Sequence, residues 1–204
     1  MRRLKRPFAA AALLAGLLTL FVAPSASAAD QPNGTEVTSL GGLVLRPAHP
    51  VKPGGIDLHA DQEAFLIGPA NDPGRCLDAD LNTIGGNGTK VQLWDCDAYA
   101  ANQAWYLTLI PEGYYRFQNV YSGRYLDADL NTINGNGTKI QLWDYMAGGS
   151  NQWFALTEIP EGYLRLQNVR GGRYLDADLN TAYRNGTVVQ LWDYVAGAQN
   201  QWWF

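Results

Sequence analysis

The sequence predicts an all-β fold: a closed three-fold barrel of about twelve short strands, built from three repeats of about 49 residues. Three observations carry this. The chain repeats itself at a fixed interval, each unit reads as short strands between turns, and no stretch beyond the leader shows sustained helical periodicity.

Residues 1–28 read as a secretory signal peptide. Arg2, Arg3, Lys5 and Arg6 form a basic start, Phe8 to Val22 is an uncharged and mostly apolar run, and Ala26-Ser27-Ala28 supplies the small residues that signal peptidase requires. The rival reading, a membrane anchor, needs about 20 apolar residues, and this run has 15. The expected product is a secreted chain, and the Ala-rich leader with its arginines points to a bacterial source. Removing the leader takes away four positive charges and no negative ones, so the net charge moves from −4 to −8. An acidic chain without a basic cluster is a poor partner for nucleic acid or anionic membrane. About 175 residues remain, enough for one domain with a real core. Both cysteines, Cys76 and Cys96, lie in that part, and in an exported protein such a pair favours a disulfide over a metal site.

Residues 29–63 are rich in Pro and Gly, with one apolar patch from Leu40 to Leu45. They read as an N-terminal extension or linker. Ile56-Asp57-Leu58-His59 falls in register with the fourth strand of a preceding repeat and offers a second reading, pairing near the barrel closure.

The repeats span approximately 64–112, 113–161 and 162–204. The run Arg75 to Thr83 returns at Arg124 and at Arg173. Each copy continues with Asn-Gly-Thr (Asn87, Asn136, Asn185), then Gln-Leu-Trp-Asp, then Asn-Gln. Residues 124–154 and 173–203 agree at 22 of 31 positions, which is duplication. Within a unit, Tyr114 to Val120, Arg124 to Asp127, Lys139 to Tyr145 and Trp153 to Ile159 are short, aromatic and branched, and Ser-Gly, Asn-Gly, Gly-Gly and Pro-Glu-Gly turns separate them. A propeller needs at least four blades, and an open solenoid needs a polar cap. Here the last unit matches the middle one with no cap after it, so the last copy is expected to pack on the first.

Alternation tells which side chains share a face. In Ile140-Gln141-Leu142-Trp143 the aliphatic pair belongs to the core, leaving Gln141 and Trp143 outside. On the preceding strand Leu126 should point in and Asp127 out. A Trp face covers the apolar side of a pyranose, and a carboxylate accepts hydrogen bonds from vicinal hydroxyls. Asn151, near the turn, can donate and accept.

These motifs resemble the ricin B-type lectin domain, a β-trefoil whose repeats end in Gln-x-Trp. That ending stands here as Gln103-Ala104-Trp105, Gln152-Trp153-Phe154 and Gln201-Trp202-Trp203, the middle copy departing by a Phe. The resemblance covers residues 64–204. It implies carbohydrate binding through Asp78, Gln92, Trp94, Asn102 and Gln103 in the first copy. The matching sets are Asp127, Gln141, Trp143, Asn151 and Gln152, then Asp176, Gln190, Trp192, Asn200 and Gln201. No copy has lost a member, so three working pockets are expected, with glycans or polysaccharides as partners, no cofactor and a monomeric chain.

Structural roles compete at several positions. The closing Gln has an equal claim as a hydrogen-bonder under the pocket. Trp105, Phe154 and Trp203 are assigned to the core. Cys76 shares a face with Asp78, and Cys96 with Trp94, on neighbouring strands, so a Cys76–Cys96 bridge beside the first pocket is sterically sensible. The other copies replace both cysteines together, with Tyr125 and Tyr145 and with Tyr174 and Tyr194. A tyrosine pair is expected to pack where the disulfide would sit.

Other functions fit less well. Asp-Ala-Asp-Leu-Asn-Thr fails the EF-hand loop, which needs Gly at its sixth position and Glu at its twelfth; those are Thr132 and Thr138 in the second copy. A looser calcium site would use Asp127, Asp129 and Asn131. Asn-Gly-Thr matches the glycosylation pattern, but the dipeptide is also a tight-turn signal. An enzyme is disfavoured, because every carboxylate recurs once per repeat and the two histidines, His49 and His59, lie outside the repeats. A protein-binding trefoil of the protease-inhibitor type would have no need for intact Asp/Trp/Asn sets, and an accessory module of a polysaccharide-degrading system remains an alternative.

Overall fold

A computed structural model describes residues 35–36, 45–51 and 62–204. The leader (1–28) and Ile56-Asp57-Leu58-His59 lie outside the described residues, as does all of the 40–45 patch except Leu45.

Thirteen strands are described. Two precede the repeats: β1 (Thr35–Glu36) and β2 (Arg46–Ala48). The first copy supplies β3 (Ala64–Leu66), β4 (Arg75–Ala79), β5 (Thr89–Asp95) and β6 (Trp105–Leu109). The second supplies β7 (Tyr115–Asn119), β8 (Tyr125–Ala128), β9 (Thr138–Trp143) and β10 (Phe154–Glu158). The third supplies β11 (Leu164–Asn168), β12 (Tyr174–Ala177) and β13 (Thr187–Trp192). The fold is the all-β trefoil expected from the repeat.

The three-fold relation is explicit in the pairing. Strands β5, β9 and β13 meet pairwise around one axis, through Thr89↔Leu142, Thr138↔Leu191 and Thr187↔Leu93. The last of these joins the third copy to the first, so the barrel closes. Each Asn-Gly-Thr turn makes this contact possible. Gly88, Gly137 and Gly186 have φ of 85°, 83° and 87°, a left-handed conformation that strains a Cβ-bearing residue. Their N–H groups donate to Leu142, Leu191 and Leu93 of the following copy at 2.9, 3.0 and 2.9 Å.

A second ring of contacts lies at the repeat ends: Phe65↔Trp105, Tyr115↔Phe154 and Leu164↔Trp203. Trp105, Phe154 and Trp203 are fully buried, as their core assignment requires. The indole N–H of Trp105 donates to the Leu77 carbonyl, and that of Trp203 to Leu175, both at 3.0 Å. Phe154 has no such donor and packs edge-on against Phe117 at 5.6 Å.

The fourth strand of the third copy is assembled from two parts of the chain. Trp203 bridges Pro69, and the Phe204 N–H donates to the Gly68 carbonyl. Arg46–Ala48 then continues the same line, pairing with Leu66, Phe65 and Ala64 in turn. The Arg46 guanidinium lies 3.5 Å over the Phe204 ring and donates to the Pro73 carbonyl at 2.9 Å. Within the stretch that reads as extension or linker, these three residues are therefore a strand. Pro47 is tolerated because the strand sits at an edge, where a missing N–H breaks no ladder.

Candidate functional site

The hairpins β4–β5, β8–β9 and β12–β13 place the site residues opposite one another. The register sets Asp78 against Gln92, Asp127 against Gln141 and Asp176 against Gln190. The Trp two residues beyond each Gln stands on the outer face, 43, 36 and 37% exposed for Trp94, Trp143 and Trp192.

The aspartates differ from the simple outward expectation. Asp78, Asp127 and Asp176 are 5, 2 and 4% exposed, because each forms the floor of its cleft. In each copy one carboxylate oxygen, Oδ1, accepts from the strand glutamine at 3.2, 3.2 and 3.1 Å. The other, Oδ2, accepts from Asn102, Asn151 or Asn200, all at 2.8 Å. It also accepts from the closing glutamine, Gln103, Gln152 or Gln201, at 3.1, 3.1 and 3.0 Å. A carboxylate offers about four lone-pair sites. Three amide donors leave one site, on Oδ1, for a ligand hydroxyl. Burial raises the pKa of all three aspartates above the usual value, and the amide hydrogen bonds pull the other way.

The closing glutamines are structural hydrogen-bonders. Besides the aspartate, Gln103, Gln152 and Gln201 donate to the carbonyls of Asp95, Asp144 and Asp193. Their own oxygens accept the N–H of Asp97, Met146 and Val195. They hold the loop beyond the Trp against the floor. The asparagines are tied down as well, each donating a second bond to the carbonyl of Ala79, Ala128 or Ala177.

Three clefts result, one per copy, of about 710, 260 and 330 Å³. Each is lined by its Asp, strand Gln, Trp and Asn, and also by a turn that alternation could not place: Asp80-Leu81-Asn82 and its counterparts. Leu81, Leu130 and Leu179 are exposed apolar side chains that line the clefts together with the Trp. The signal in the sequence was a Leu kept three times inside a polar turn. Asp80, Asp129 and Asp178 each accept two bonds from the Asn two residues on, which makes the segment an Asx turn. Among the described residues no cluster of three His, Cys, Asp or Glu is placed to hold a metal ion.

The first site is braced differently from the other two. Cys76 and Cys96 form a disulfide at the edge of the first cleft. In the same place Tyr125 packs on Tyr145 at 5.7 Å, and Tyr174 on Tyr194 at 5.6 Å. Arg116 and Arg165 cover Tyr145 and Tyr194 at 4.9 and 4.8 Å. Burial pushes the Tyr125 phenol up to about 12, against a smaller opposite pull from Arg116.

Comparison with known proteins agrees with this geometry. Residues 58–143 match the family model described as ricin-type β-trefoil lectin domain-like. No curated protein matches the sequence. Among solved structures, a designed three-fold symmetric protein, ThreeFoil, is similar at a TM-score of 0.61 and 27% identity, over 69% of this chain and 95% of that one. An exo-β-1,3-galactanase from Clostridium thermocellum is similar at 0.58 and 26% identity, over 69% of this chain, which spans only 29% of that enzyme. A Polyporus squamosus lectin, solved with a sialylated human-type influenza-binding epitope, is similar at 0.57 and 21% identity, over 69% and 47% of the two chains.

Proposed function

We propose that this chain, which carries a ricin-type β-trefoil lectin-like domain, is a secreted, non-catalytic and multivalent carbohydrate-binding protein with one sugar pocket per repeat. One observation carries the reading. Each copy presents a half-exposed Trp beside a buried carboxylate that three amides hold in place, with one acceptor position left open. A sugar ring stacked on the indole brings its hydroxyls to that acceptor, and the carboxylate strengthens the bond. The amide partners preorganise the acceptor, so little ordering is left for the ligand to impose. Three such pockets on one rigid body can raise avidity by about 10²–10⁴ on a repeating glycan.

The likeness to the galactanase supports a second reading, in which the domain delivers a polysaccharide-degrading partner to its substrate. Both readings require sugar binding. A glycan array probed with the exported protein should give hits that vanish in the triple variant W94A/W143A/W192A. Hits that persist in the triple variant, or an array without hits, would contradict the proposal.

A further inference from the structure

The three clefts share their floor but not their walls. We propose that the first pocket holds at least two consecutive sugar residues of a glycan chain, while the second and third hold one each; this rests on the carbohydrate reading above.

The first cleft is more than twice the volume of either other cleft, 710 against 260 and 330 Å³. Its additional lining over both other clefts is Asp95, Cys96 and Gln103, while the Ala100 position also lines the third cleft as Ala198. At the position of Asp97 the second cleft has Met146 and the third has Val195.

The difference begins in the backbone. All three loops make a hydrogen-bonded turn here: Ala100 to Asp97, Gly149 to Met146 and Ala198 to Val195. Gly148 and Gly197, third in their turns, have φ of 69° and 73°, while the residue before each is not left-handed, which is the type II pattern. Tyr99 takes that position in the first copy with no left-handed φ, so its turn is type I. The two types differ by a flip of the central peptide. In the first copy that peptide's carbonyl, Ala98, accepts the His49 N–H at 2.6 Å. The next carbonyl, Tyr99, accepts the Val51 N–H at 3.0 Å. Residues 49–51 thus hold this loop through two of its carbonyls.

The wall so formed is polar where the other two are apolar. Asp97 accepts the Tyr99 N–H through Oδ1 at 2.9 Å, which leaves Oδ2 for a ligand hydroxyl. Tyr99, next along the turn, is exposed; it stands outside the cleft's lining, its ring 6.3 Å from that of His49. A sugar on Trp94 would extend its neighbour toward Asp97, with Tyr99 beyond it. A sugar on Trp143 or Trp192 would meet Met146 or Val195, which accept no hydroxyl.

The test uses proteins with a single intact Trp: W143A/W192A keeps the first pocket, and W94A/W143A keeps the third. Both are applied to an array carrying mono-, di- and trisaccharide series of the common hexose and pentose linkages. The first-pocket protein should bind its best trisaccharide about tenfold tighter than the matching monosaccharide, a difference of about 1.4 kcal/mol. The third-pocket protein should show nearly equal binding along the series. Adding D97V/Y99G to the first-pocket protein gives its wall the third copy's residues, and should remove the length preference while monosaccharide binding persists. D97V alone, which leaves the turn backbone in place, should lower it in part. Equal length ratios in the two single-pocket proteins, or a preference untouched by D97V, would overturn the inference. No binding by the unmodified protein would overturn the carbohydrate reading itself, so the two failures are separable.

Discussion

Asn185 and Asp95, ninety positions apart, hold each other in a reciprocal pair: the Asn185 amide donates to an Asp95 carboxylate oxygen at 2.9 Å, and the Asp95 N–H donates back to Asn185 Oδ1 at 2.8 Å. The same pair recurs between Asn87 and Asp144 and between Asn136 and Asp193. Each Asn-Gly turn therefore locks onto the copy that follows, and Asn185–Asp95 is the lock that shuts the ring. Removing it by N185A should lower stability by about 0.5–1.5 kcal/mol, the usual net value of an exposed hydrogen-bonded pair. Urea denaturation checks this, and sugar binding should be unchanged. N87A and N136A should behave alike, with the difference that Arg124 and Arg173 reach Asp144 and Asp193 at 2.9 Å, whereas Arg75 reaches Asp95 only at 3.6 Å.

The buried aspartates support the fold as well as the ligand. D127A would leave the amides of Gln141, Asn151 and Gln152 facing a void where the carboxylate was. The expected loss is about 1–3 kcal/mol of stability, alongside the loss of that pocket. D127N is no remedy, since its NH2 group must face at least one amide donor. W143A, at a half-exposed position, should abolish the pocket with a much smaller change in melting temperature. Calorimetry on both variants separates the two effects.

How far the sequence foretold this depends on the residue. Duplication made the trefoil legible, and alternation put the three Trp residues outside. Alternation assigns a face but not a depth, so it could not show that Asp127 lies under its neighbours. The reciprocal Asn–Asp locks were hidden because the partners lie 57 or 90 positions apart, while Asn-Gly reads locally as a turn. Arg46–Ala48 was hidden for another reason. Its three residues contain a Pro and no alternation, and only the open edge beside Phe204 makes them a strand.

Acidity should act oppositely on stability and on binding. The pKa values of Asp78, Asp127 and Asp176 are raised by burial above the ordinary 3.8. The folded chain then binds protons more tightly than the unfolded chain across that interval. The stability these groups contribute is fully present below 3.8 and is lost as pH rises through the raised values. Sugar binding needs the ionised acceptor, so it should weaken on acidification while the pH is still above 3.8. Parallel titrations of affinity and melting temperature check the two signs. Affinity that stays flat down to that value would contradict the assigned acceptor.

The disulfide braces one copy alone. C76A/C96A should cost roughly 3 kcal/mol, the value for a loop of this length. Binding should fall at the first pocket and stay intact at the tyrosine-braced pockets. Denaturation together with array binding of the single-pocket proteins reads both.

Three copies should make three pockets. Isothermal titration with a single soluble oligosaccharide taken from the array hits counts them directly. Three sites per chain are expected, falling by one with each of W94A, W143A and W192A. A stoichiometry that does not change with these substitutions would contradict it.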